Sequence, residues 1–260
     1  MKMALRLGER GTGRSSPNPS VGCVIVRDGR VVGRGWHEYA LRDHAEVRAL
    51  RMAGELAAGS EVYVTLEPCC HEGRTPPCAD ALVRAGVRRV VAARTDPNPV
   101  VSGRGVERLR SAGIRVDVGL CAGEAGRLIE PFARHVSSGY PLVVSKVGMT
   151  LDGKIGTGSA DGRAISSPEG LEFGQRLRLG CDAVMVGAGT LLADDPELTY
   201  RGGRGRARPL VRVILDSRLR TPPGSRLLRV APESPVLLFC APDAPGASRR
   251  ELEEAGAEIV

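Results

Sequence analysis

Three short motifs in the first third of the chain constrain its fold and chemistry most. They are His44-Ala45-Glu46, Pro68-Cys69 and Pro77-Cys78. One imidazole and two thiolates can hold Zn²⁺ and leave a fourth position for water, whose pKa the metal lowers. A nearby carboxylate that is not a ligand can carry the proton from that water to a leaving amine. The pattern predicts a zinc-dependent nucleobase deaminase with ligands His44, Cys69 and Cys78 and proton carrier Glu46.

The spacing of the two cysteines is longer than in the usual Pro-Cys-x-x-Cys pattern. Eight residues separate Cys69 from Cys78. A long loop can still close a tetrahedral site, and this one brings His71, Arg74 and Thr75 to the rim. Cys70 is an alternative ligand, but Cys69 is preferred because it directly follows Pro68 at the end of a strand-like stretch, residues 61–66.

Two other classes of protein could use the same zinc core. A structural zinc site usually has four protein ligands and needs no proton carrier, so Glu46 argues against it. A nucleic-acid base deaminase or an RNA-binding protein relies on aromatic stacking. Only 3% of the residues are aromatic, with one Trp. The net charge of +7, spread along the chain, suits phosphate-bearing small molecules. We therefore expect neither a nucleic-acid partner nor a membrane partner.

Cysteine usage and hydropathy indicate in which cellular compartment the protein resides. The chain has seven Cys and no secretory hydrophobic segment, which favours a reducing compartment and predicts a cytoplasmic protein. No apolar run approaches the roughly 18 residues that a membrane span needs.

Alternating strand and helix patterns predict an α/β fold with a largely parallel sheet in the first domain. Residues 21–26 and 31–36 are joined by Asp28-Gly29, a strong hairpin signal. Residues 124–136 predict one helix. We place a zinc deaminase domain at residues 1–120, a connecting helix at 121–139 and a second α/β domain at 140–260.

The second domain lacks the Gly-x-Gly-x-x-Gly fingerprint of dinucleotide-binding folds. Its distinctive segments are residues 146–154, 186–196 and 213–217. Glycines after strand ends let phosphates approach the backbone, and Asp194 and Arg201 could hold hydroxyls and a phosphate. Each segment alone is equally compatible with an ordinary turn or helix start.

Taken together, these motifs resemble the RibD family of bifunctional riboflavin-biosynthesis proteins, which combine a pyrimidine deaminase with a reductase. The resemblance covers essentially the whole chain. It rests on residues 17–22, 44–46, 65–78, 96–99, 103–105, 146–154, 189–196 and 213–217. It implies a cytidine-deaminase-like three-layer α/β/α domain followed by a dihydrofolate-reductase-like α/β domain.

The resemblance implies a two-step activity. The first step is zinc-dependent hydrolytic deamination of 2,5-diamino-6-ribosylamino-4(3H)-pyrimidinone 5′-phosphate to 5-amino-6-(5-phosphoribosylamino)uracil. The second is NADPH-dependent reduction of the ribosyl group to a ribityl group. The cofactors would be one Zn²⁺ per chain and NADPH, and we expect a homo-oligomer formed through the second domain.

The resemblance also implies contacts for each ligand. The deaminase pocket would be lined by Asn18, His71, Arg74 and Thr75. NADPH would contact Gly148, Ala164, Thr190, Asp194 and Ser217. The phosphorylated substrate of the reductase would contact Gly162, Arg178, Leu198 and Arg201, where arginine can bind phosphate through two parallel hydrogen bonds.

Two departures from the family pattern affect the second domain. The family commonly has Trp where this chain has Ala164. The family also continues beyond Val260 through another third of the reductase domain, so we expect either a fragment or a degenerate reductase. A sheet lacking strands would leave an open edge and an uncovered apolar face. The alternative function is therefore a deaminase whose second domain reduces nothing and serves oligomerisation.

Overall fold

The structure is a computed structural model that describes residues 1–73, 75–156 and 165–260. The chain divides into two compact units, Met1–Val144 and Ser145–Val260. Each unit has its own β-sheet. Within the described residues, no helix has both the length and the apolar character needed to cross a membrane.

The first unit builds a five-stranded sheet with helices between the strands. Its strands and α-helices are α1 Lys2–Gly8, β1 Gly22–Arg27, β2 Arg30–Trp36, α2 Ala45–Ala53, β3 Glu61–Val64, α3 Cys78–Arg84, β4 Arg89–Ala92, α4 Arg104–Ser111, β5 Arg115–Val118, α5 Ala122–Leu128 and α6 Glu130–Ser138. Short 3₁₀ turns occupy Glu9–Gly11, Tyr39–Leu41 and Gly54–Ala57.

The strand order of this sheet is β2-β1-β3-β4-β5. Strand β1 is antiparallel to both β2 and β3, whereas β3, β4 and β5 are parallel. The sheet is therefore mixed: the predicted parallel pairing holds for β3, β4 and β5, while β1 and β2 form the predicted hairpin. Asp28 and Gly29 both have positive φ, 49° and 74°, which closes a two-residue turn and makes β1 and β2 antiparallel.

Two glycines show on which faces the helices lie. A Cβ atom on Gly22 would come within 1.9 Å of the Ala4 carbonyl oxygen, and one on Gly35 within 2.0 Å of the Ala45 carbonyl oxygen. Cys23 pairs with Gly35, and successive residues of a strand point to opposite faces. Helices α1 and α2 therefore cover opposite faces of the hairpin, which gives the α/β/α layering.

The core of the first unit lies between the sheet and α2, α3 and α4. Its fully buried side chains include Ile25, Val62, Val64, Leu82 and Leu109. Burying each such aliphatic side chain contributes roughly 1.5–3 kcal/mol. The core thereby fixes the end of β3 relative to the starts of α2 and α3. The cysteine and histidine motifs lie at these three points.

Residues 124–136 form parts of two helices instead of the single predicted helix. Helix α5 ends at Leu128 and α6 begins at Glu130, with Ile129 between them at φ −112° and ψ 12°. Pro131 lies in the first turn of α6. Proline lacks the N–H that would continue α5, and its ring excludes the preceding helical turn, so it starts a new helix instead.

The second unit contains a four-stranded, all-parallel sheet of order β6-β7-β8-β9. Its elements are α7 Pro168–Gly180, β6 Ala183–Gly187, α8 Ala188–Asp194, β7 Val211–Leu215, α9 Arg226–Arg229, β8 Val236–Phe239, α10 Gly246–Glu254 and β9 Glu258–Ile259. Its core gathers Leu191, Ile214, Leu227, Leu238 and Leu252.

Part of one face of this sheet is exposed and apolar. Met185, Leu215 and Phe239 share that face by register, and their exposed fractions are 54%, 48% and 41%. On the buried side, Arg212 is 1% exposed and donates hydrogen bonds to the carbonyl oxygens of Leu227, Val230, Ala231 and Ser234. This single guanidinium organises the loop that leads into β8.

Candidate metal and deaminase site

His44 lies at the start of α2. It is the N-cap residue, in an extended conformation with φ −73° and ψ 164°, and Glu46 follows in the first helical turn. Its Nδ1 atom is 3.5 Å from Cys69 Sγ and 3.2 Å from Cys78 Sγ. The helix start thus directs the imidazole to both thiols.

The two cysteines approach each other because the chain between them turns back on itself. Cys69 follows β3, and Cys78 is the first residue of α3. The Cys78 N–H donates to Cys69 Sγ at 3.3 Å, and the Ala79 N–H donates to the Cys69 carbonyl oxygen at 3.0 Å. The long loop therefore closes the site that its spacing predicts.

The three donor atoms fit a zinc ion. The ligand atoms of His44, Cys69 and Cys78 all lie within 4.8 Å of one another. Around a tetrahedral Zn²⁺ with ordinary bond lengths, an imidazole nitrogen and a thiolate sulfur are about 3.6 Å apart. The observed nitrogen–sulfur separations are close to that value. Among the described residues, Cys70 is not part of this cluster.

Glu46 is buried next to the cluster without joining it. Its side chain is 4% exposed in the folded chain. Burial raises its pKa to about 7, although the charge of His44 opposes that rise and a hydrogen bond with Cys78 opposes it further. A carboxyl group with such a pKa can accept and release a proton near neutral pH, as a proton carrier requires.

The thiol of Cys69 is prepared to be a metal ligand. Hydrogen bonds from the Cys78 side chain, His44 and the Cys78 N–H lower its pKa to about 4, against the opposing effect of burial. The hydrogen bond with Cys69 in turn raises the pKa of His44. Because the thiolate is the form that binds metal, this environment prepares Cys69 as a zinc ligand, whereas the hydrogen bond with Cys69 raises the pKa of Cys78.

A cavity of about 260 Å³ opens onto these groups. His44, Glu46 and Cys69 line it, and so do the predicted substrate residues Asn18, His71 and Thr75. Arg74, the fourth predicted substrate residue, lies outside the described residues.

The cavity wall also contains His37, Asp96 and Asn98, which the sequence did not single out as site residues. Asp96 Oδ1 accepts the Asn98 N–H at 2.8 Å, and burial raises the pKa of Asp96. The Asp96-Pro97-Asn98-Pro99 motif could have indicated that Asp96 and Asn98 belong to the site, because this motif is part of the family resemblance.

Glu67 anchors that wall to the cysteine segment. Its carboxylate is 3% exposed and accepts three backbone N–H groups, those of Asp96 at 3.0 Å, Gly103 at 2.9 Å and Val106 at 3.0 Å. Gly103 and Val106 belong to the start of α4, so the carboxylate also satisfies donors at that helix end. In the sequence, only the position of Glu67 two residues before Cys69 indicates a role near the site.

In the second unit, the predicted cofactor residues follow the ends of parallel strands. Thr190 and Asp194 lie on α8, directly after β6, and Ser217 follows β7. Ligands of open α/β sheets bind at this carboxyl edge, so the placement fits NADPH. Gly148 is partly buried, and a Cβ there would be 2.9 Å from Ser166 Oγ. Ala164 lies outside the described residues.

The predicted substrate residues of the second unit differ in their surroundings. Arg178 donates to the Thr199 carbonyl oxygen at 2.7 Å, and Arg201 donates to Glu197 Oε2 at 2.8 Å. Burial lowers the pKa of Arg178, and the charge of Arg201 lowers it further. Leu198 is buried in the core. Gly162 lies outside the described residues.

Two protein families match the two units. The zinc-binding region of cytidine and deoxycytidylate deaminases matches residues 1–94, and the RibD C-terminal domain matches residues 141–253.

Curated relatives match over most of the chain. The riboflavin biosynthesis protein RibD of Aquifex aeolicus is 45% identical over 260 residues, covering 100% of this chain and 72% of the relative. RibD of Escherichia coli is 46% identical over 240 residues, covering 88% of this chain and 65% of the relative. The chain thus spans about two thirds of the length of these relatives.

Solved structures give the same result. The fold of RibD from Acinetobacter baumannii, form 1, matches with a TM-score of 0.88 and 41% identity, over 100% of this chain and 72% of that one. A diaminohydroxyphosphoribosylaminopyrimidine deaminase/5-amino-6-(5-phosphoribosylamino)uracil reductase from Thermotoga maritima matches with a TM-score of 0.85 and 37% identity, over 100% and 78%.

These matches confirm the predicted family, the fold class, the enzyme class and the two cofactors, Zn²⁺ and NADPH. The chain therefore belongs to the RibD family of riboflavin-biosynthesis deaminase/reductases.

Proposed function

We propose that this chain performs two successive steps on one phosphorylated pyrimidine. It deaminates 2,5-diamino-6-ribosylamino-4(3H)-pyrimidinone 5′-phosphate to 5-amino-6-(5-phosphoribosylamino)uracil, and it then reduces the ribosyl group to a ribityl group. The observation that supports the first step most directly is the buried Glu46 beside the cluster of His44, Cys69 and Cys78, with Glu46, His44 and Cys69 lining one cavity.

Deamination replaces the exocyclic amine of the pyrimidine by an oxygen atom from water. A C–O bond forms, the C–N bond breaks, and the amine leaves as ammonia. Zn²⁺ held by His44, Cys69 and Cys78 would supply a Lewis acid that lowers the pKa of water. Glu46 would take a proton on a carboxylate oxygen and release it to the departing nitrogen, and its pKa of about 7 supports both transfers.

The remaining cavity residues would bind and orient the pyrimidine. Asn18, His71 and Thr75 support this role by lining the cavity. Arg74 belongs to the proposed set through the family resemblance, and a guanidinium group is suited to the substrate phosphate.

The second unit would bind NADPH, which supplies a hydride when it is bound. Thr190, Asp194 and Ser217 support this role by their places at the carboxyl edge of the sheet, and Gly148 and Ala164 complete the proposed set. The substrate set is Gly162, Arg178, Leu198 and Arg201, in which the guanidinium groups of Arg178 and Arg201 are suited to a phosphate.

A specific observation favours a second candidate function, a deaminase whose second unit serves oligomerisation. Met185, Leu215 and Phe239 leave one face of the second sheet apolar and exposed. Such a face suits a homo-oligomer, which we propose for both candidates, and cysteine usage supports a cytoplasmic location.

One experiment separates the candidates. Zinc content, ammonia release from the diaminopyrimidine phosphate and NADPH binding by calorimetry are measured on the same sample of this chain. Ammonia release together with NADPH binding and one zinc per chain supports the two-step enzyme. Ammonia release without NADPH binding supports the deaminase alone, and a zinc-loaded chain that releases no ammonia rejects both.

A further inference from the structure

His37 is a buried histidine that the deaminase mechanism does not use. It directly follows β2, its side chain is 4% exposed, and its N–H donates to the Val21 carbonyl oxygen at 3.0 Å. Its ring meets the ring of His44 edge-on, with centroids 5.2 Å apart and planes at 84°. Both imidazoles line the cavity, so His37 is held at the metal site without being one of its ligands.

The hydrogen bonds of His37 determine its tautomer. Its Nδ1 atom is 3.1 Å from the Asp43 carbonyl oxygen. A carbonyl oxygen can only accept a hydrogen bond, so Nδ1 carries the hydrogen. In the neutral ring, Nε2 then presents a lone pair and acts as an acceptor.

That acceptor determines the orientation of the Asn18 amide. Asn18 Nδ2 is 3.0 Å from His37 Nε2, and an acceptor requires the NH₂ group of the amide to face it. The Asn18 N–H also donates to the Ser15 carbonyl oxygen at 3.0 Å, which holds the residue in place. Within residues 1–73, 75–156 and 165–260, Asn18 Oδ1 accepts no hydrogen bond. The side chain therefore offers the cavity an acceptor.

We infer that His37 is a positioning residue whose Nδ1–H tautomer holds Asn18 with its Oδ1 atom toward the substrate. The pocket then requires a hydrogen-bond donor at that point, an N–H of the pyrimidine ring or of its amino groups. The arrangement of His37 and Asn18 does not depend on the proposed deaminase function, but the consequence for substrate choice rests on that function. A carbonyl group in the same place would face Oδ1 oxygen to oxygen, and the pocket would reject that substrate.

The tautomer can be read directly by NMR on zinc-loaded chain labelled uniformly with ¹⁵N, which makes both the histidine rings and the Asn18 side chain visible. The chain has four His, so the spectrum can be assigned with single substitutions. We expect His37 to show a protonated Nδ1 and an unprotonated Nε2, and the Asn18 NH₂ signals to move in His37→Phe. A protonated Nε2 on His37 would overturn the inference.

Kinetics then test the connection from His37 to substrate binding. In His37→Asn the amide can replace the Nδ1 donor but offers nothing at the Nε2 position, whereas in His37→Gln an amide oxygen can reach that position. We expect His37→Asn and His37→Phe to raise the KM of ammonia release by about tenfold or more with zinc retained. His37→Gln should recover most of the wild-type KM, and His135→Asn, on the exposed face of α6, is the control.

The outcomes separate this inference from the proposed function. A wild-type KM in His37→Asn, or a His37→Gln variant as poor as His37→Phe, would contradict the positioning role. Loss of zinc from all three variants at position 37 would contradict it too, because it would indicate support of the metal site instead. If the wild-type chain releases no ammonia, the proposed function fails while the NMR spectrum still decides the tautomer.

Discussion

At the scale of single residues, the first unit concentrates its chemistry on groups whose surroundings change their protonation. Burial raises the pKa of Glu46 to about 7, while hydrogen bonds from Cys78 and His44 lower the pKa of Cys69 to about 4. One group can therefore exchange a proton near neutral pH while the other presents a thiolate. This division fits a proton carrier beside a metal ligand.

Substituting the carboxyl of Glu46 tests the proton transfer alone. In Glu46→Gln the buried amide keeps nearly the same shape but cannot accept the proton. We expect ammonia release to fall by about 10²- to 10⁴-fold while zinc stays bound at one per chain. Metal analysis and an ammonia assay on the same preparation check this. Glu55→Gln, an exposed acid near the end of α2, is the control, and loss of zinc from Glu46→Gln would contradict the role.

The choice between adjacent cysteines can be tested by a matched pair of variants. Cys69 Sγ lies 3.5 Å from His44 Nδ1, whereas Cys70 is not in the described metal cluster. We expect Cys69→Ser to lose zinc and ammonia release together, and Cys70→Ser to keep both. The reverse pattern of zinc content would make Cys70 the ligand.

At the scale of elements, the deaminase cavity depends on how one wall is attached. The Glu67 carboxylate accepts N–H groups from residues 29, 36 and 39 positions away in sequence. A Cβ on Gly105 would come within 2.0 Å of the Pro68 carbonyl oxygen, so the start of α4 lies directly on the cysteine segment. Glycine is required there because the two backbones touch.

Removing the Glu67 charge should loosen that wall. In Glu67→Gln the amide NH₂ faces backbone N–H groups that need an acceptor, so at least one is left unsatisfied. We expect the free energy of unfolding of the first unit to fall by about 1–3 kcal/mol. Urea unfolding followed by Trp36 fluorescence measures it, with Glu55→Gln as the exposed control.

Hydrogen exchange locates the effect of Glu67→Gln. The amides of Asp96, Gly103 and Val106 should exchange faster than in the wild type, while those of β1 and β2 stay protected at the level set by global stability. Unchanged exchange at the three amides would refute the anchoring role.

At the scale of the whole molecule, the two units can be observed separately. The single Trp of the chain, Trp36, belongs to the first unit, where the Arg48 guanidinium lies 4.3 Å from its ring centroid. Its fluorescence therefore reports unfolding of the zinc-binding unit, whereas far-UV circular dichroism reports both. A chain with two units need not unfold in one step.

Removing zinc should destabilise only the first unit. All three proposed ligands belong to it, and a ligand at a thousandfold excess over its Kd contributes about 4 kcal/mol to the folded state. We expect chelation to lower the midpoint of the Trp36 thermal transition by about 10 °C. The part of the circular dichroism transition that reports the second unit should not move.

Adding zinc back is the control for this experiment, and it should restore the Trp36 midpoint. Equal shifts of the fluorescence and circular dichroism midpoints on chelation would contradict separate unfolding. No shift of either signal would contradict a zinc site in the first unit.

Much of the fold was predictable because its signals are local. The Asp28-Gly29 turn requires positive φ at both positions, so two residues were enough to predict the hairpin. The strand before Cys69 also follows from a short pattern. Pro131 was a local signal as well, and the single predicted helix over residues 124–136 was wrong because that proline was overlooked.

The sequence by itself determined which chemistry this chain can support, because the residue types for zinc binding and proton transfer occur in recognisable motifs. Only the tertiary structure decided which other groups surround that chemistry. The Asn18–His37 pair, the three N–H groups on Glu67 and the four carbonyl oxygens around Arg212 all join distant segments. Backbone N–H and C=O groups are identical in every residue except proline, so no sequence pattern indicates which of them a buried side chain will bind.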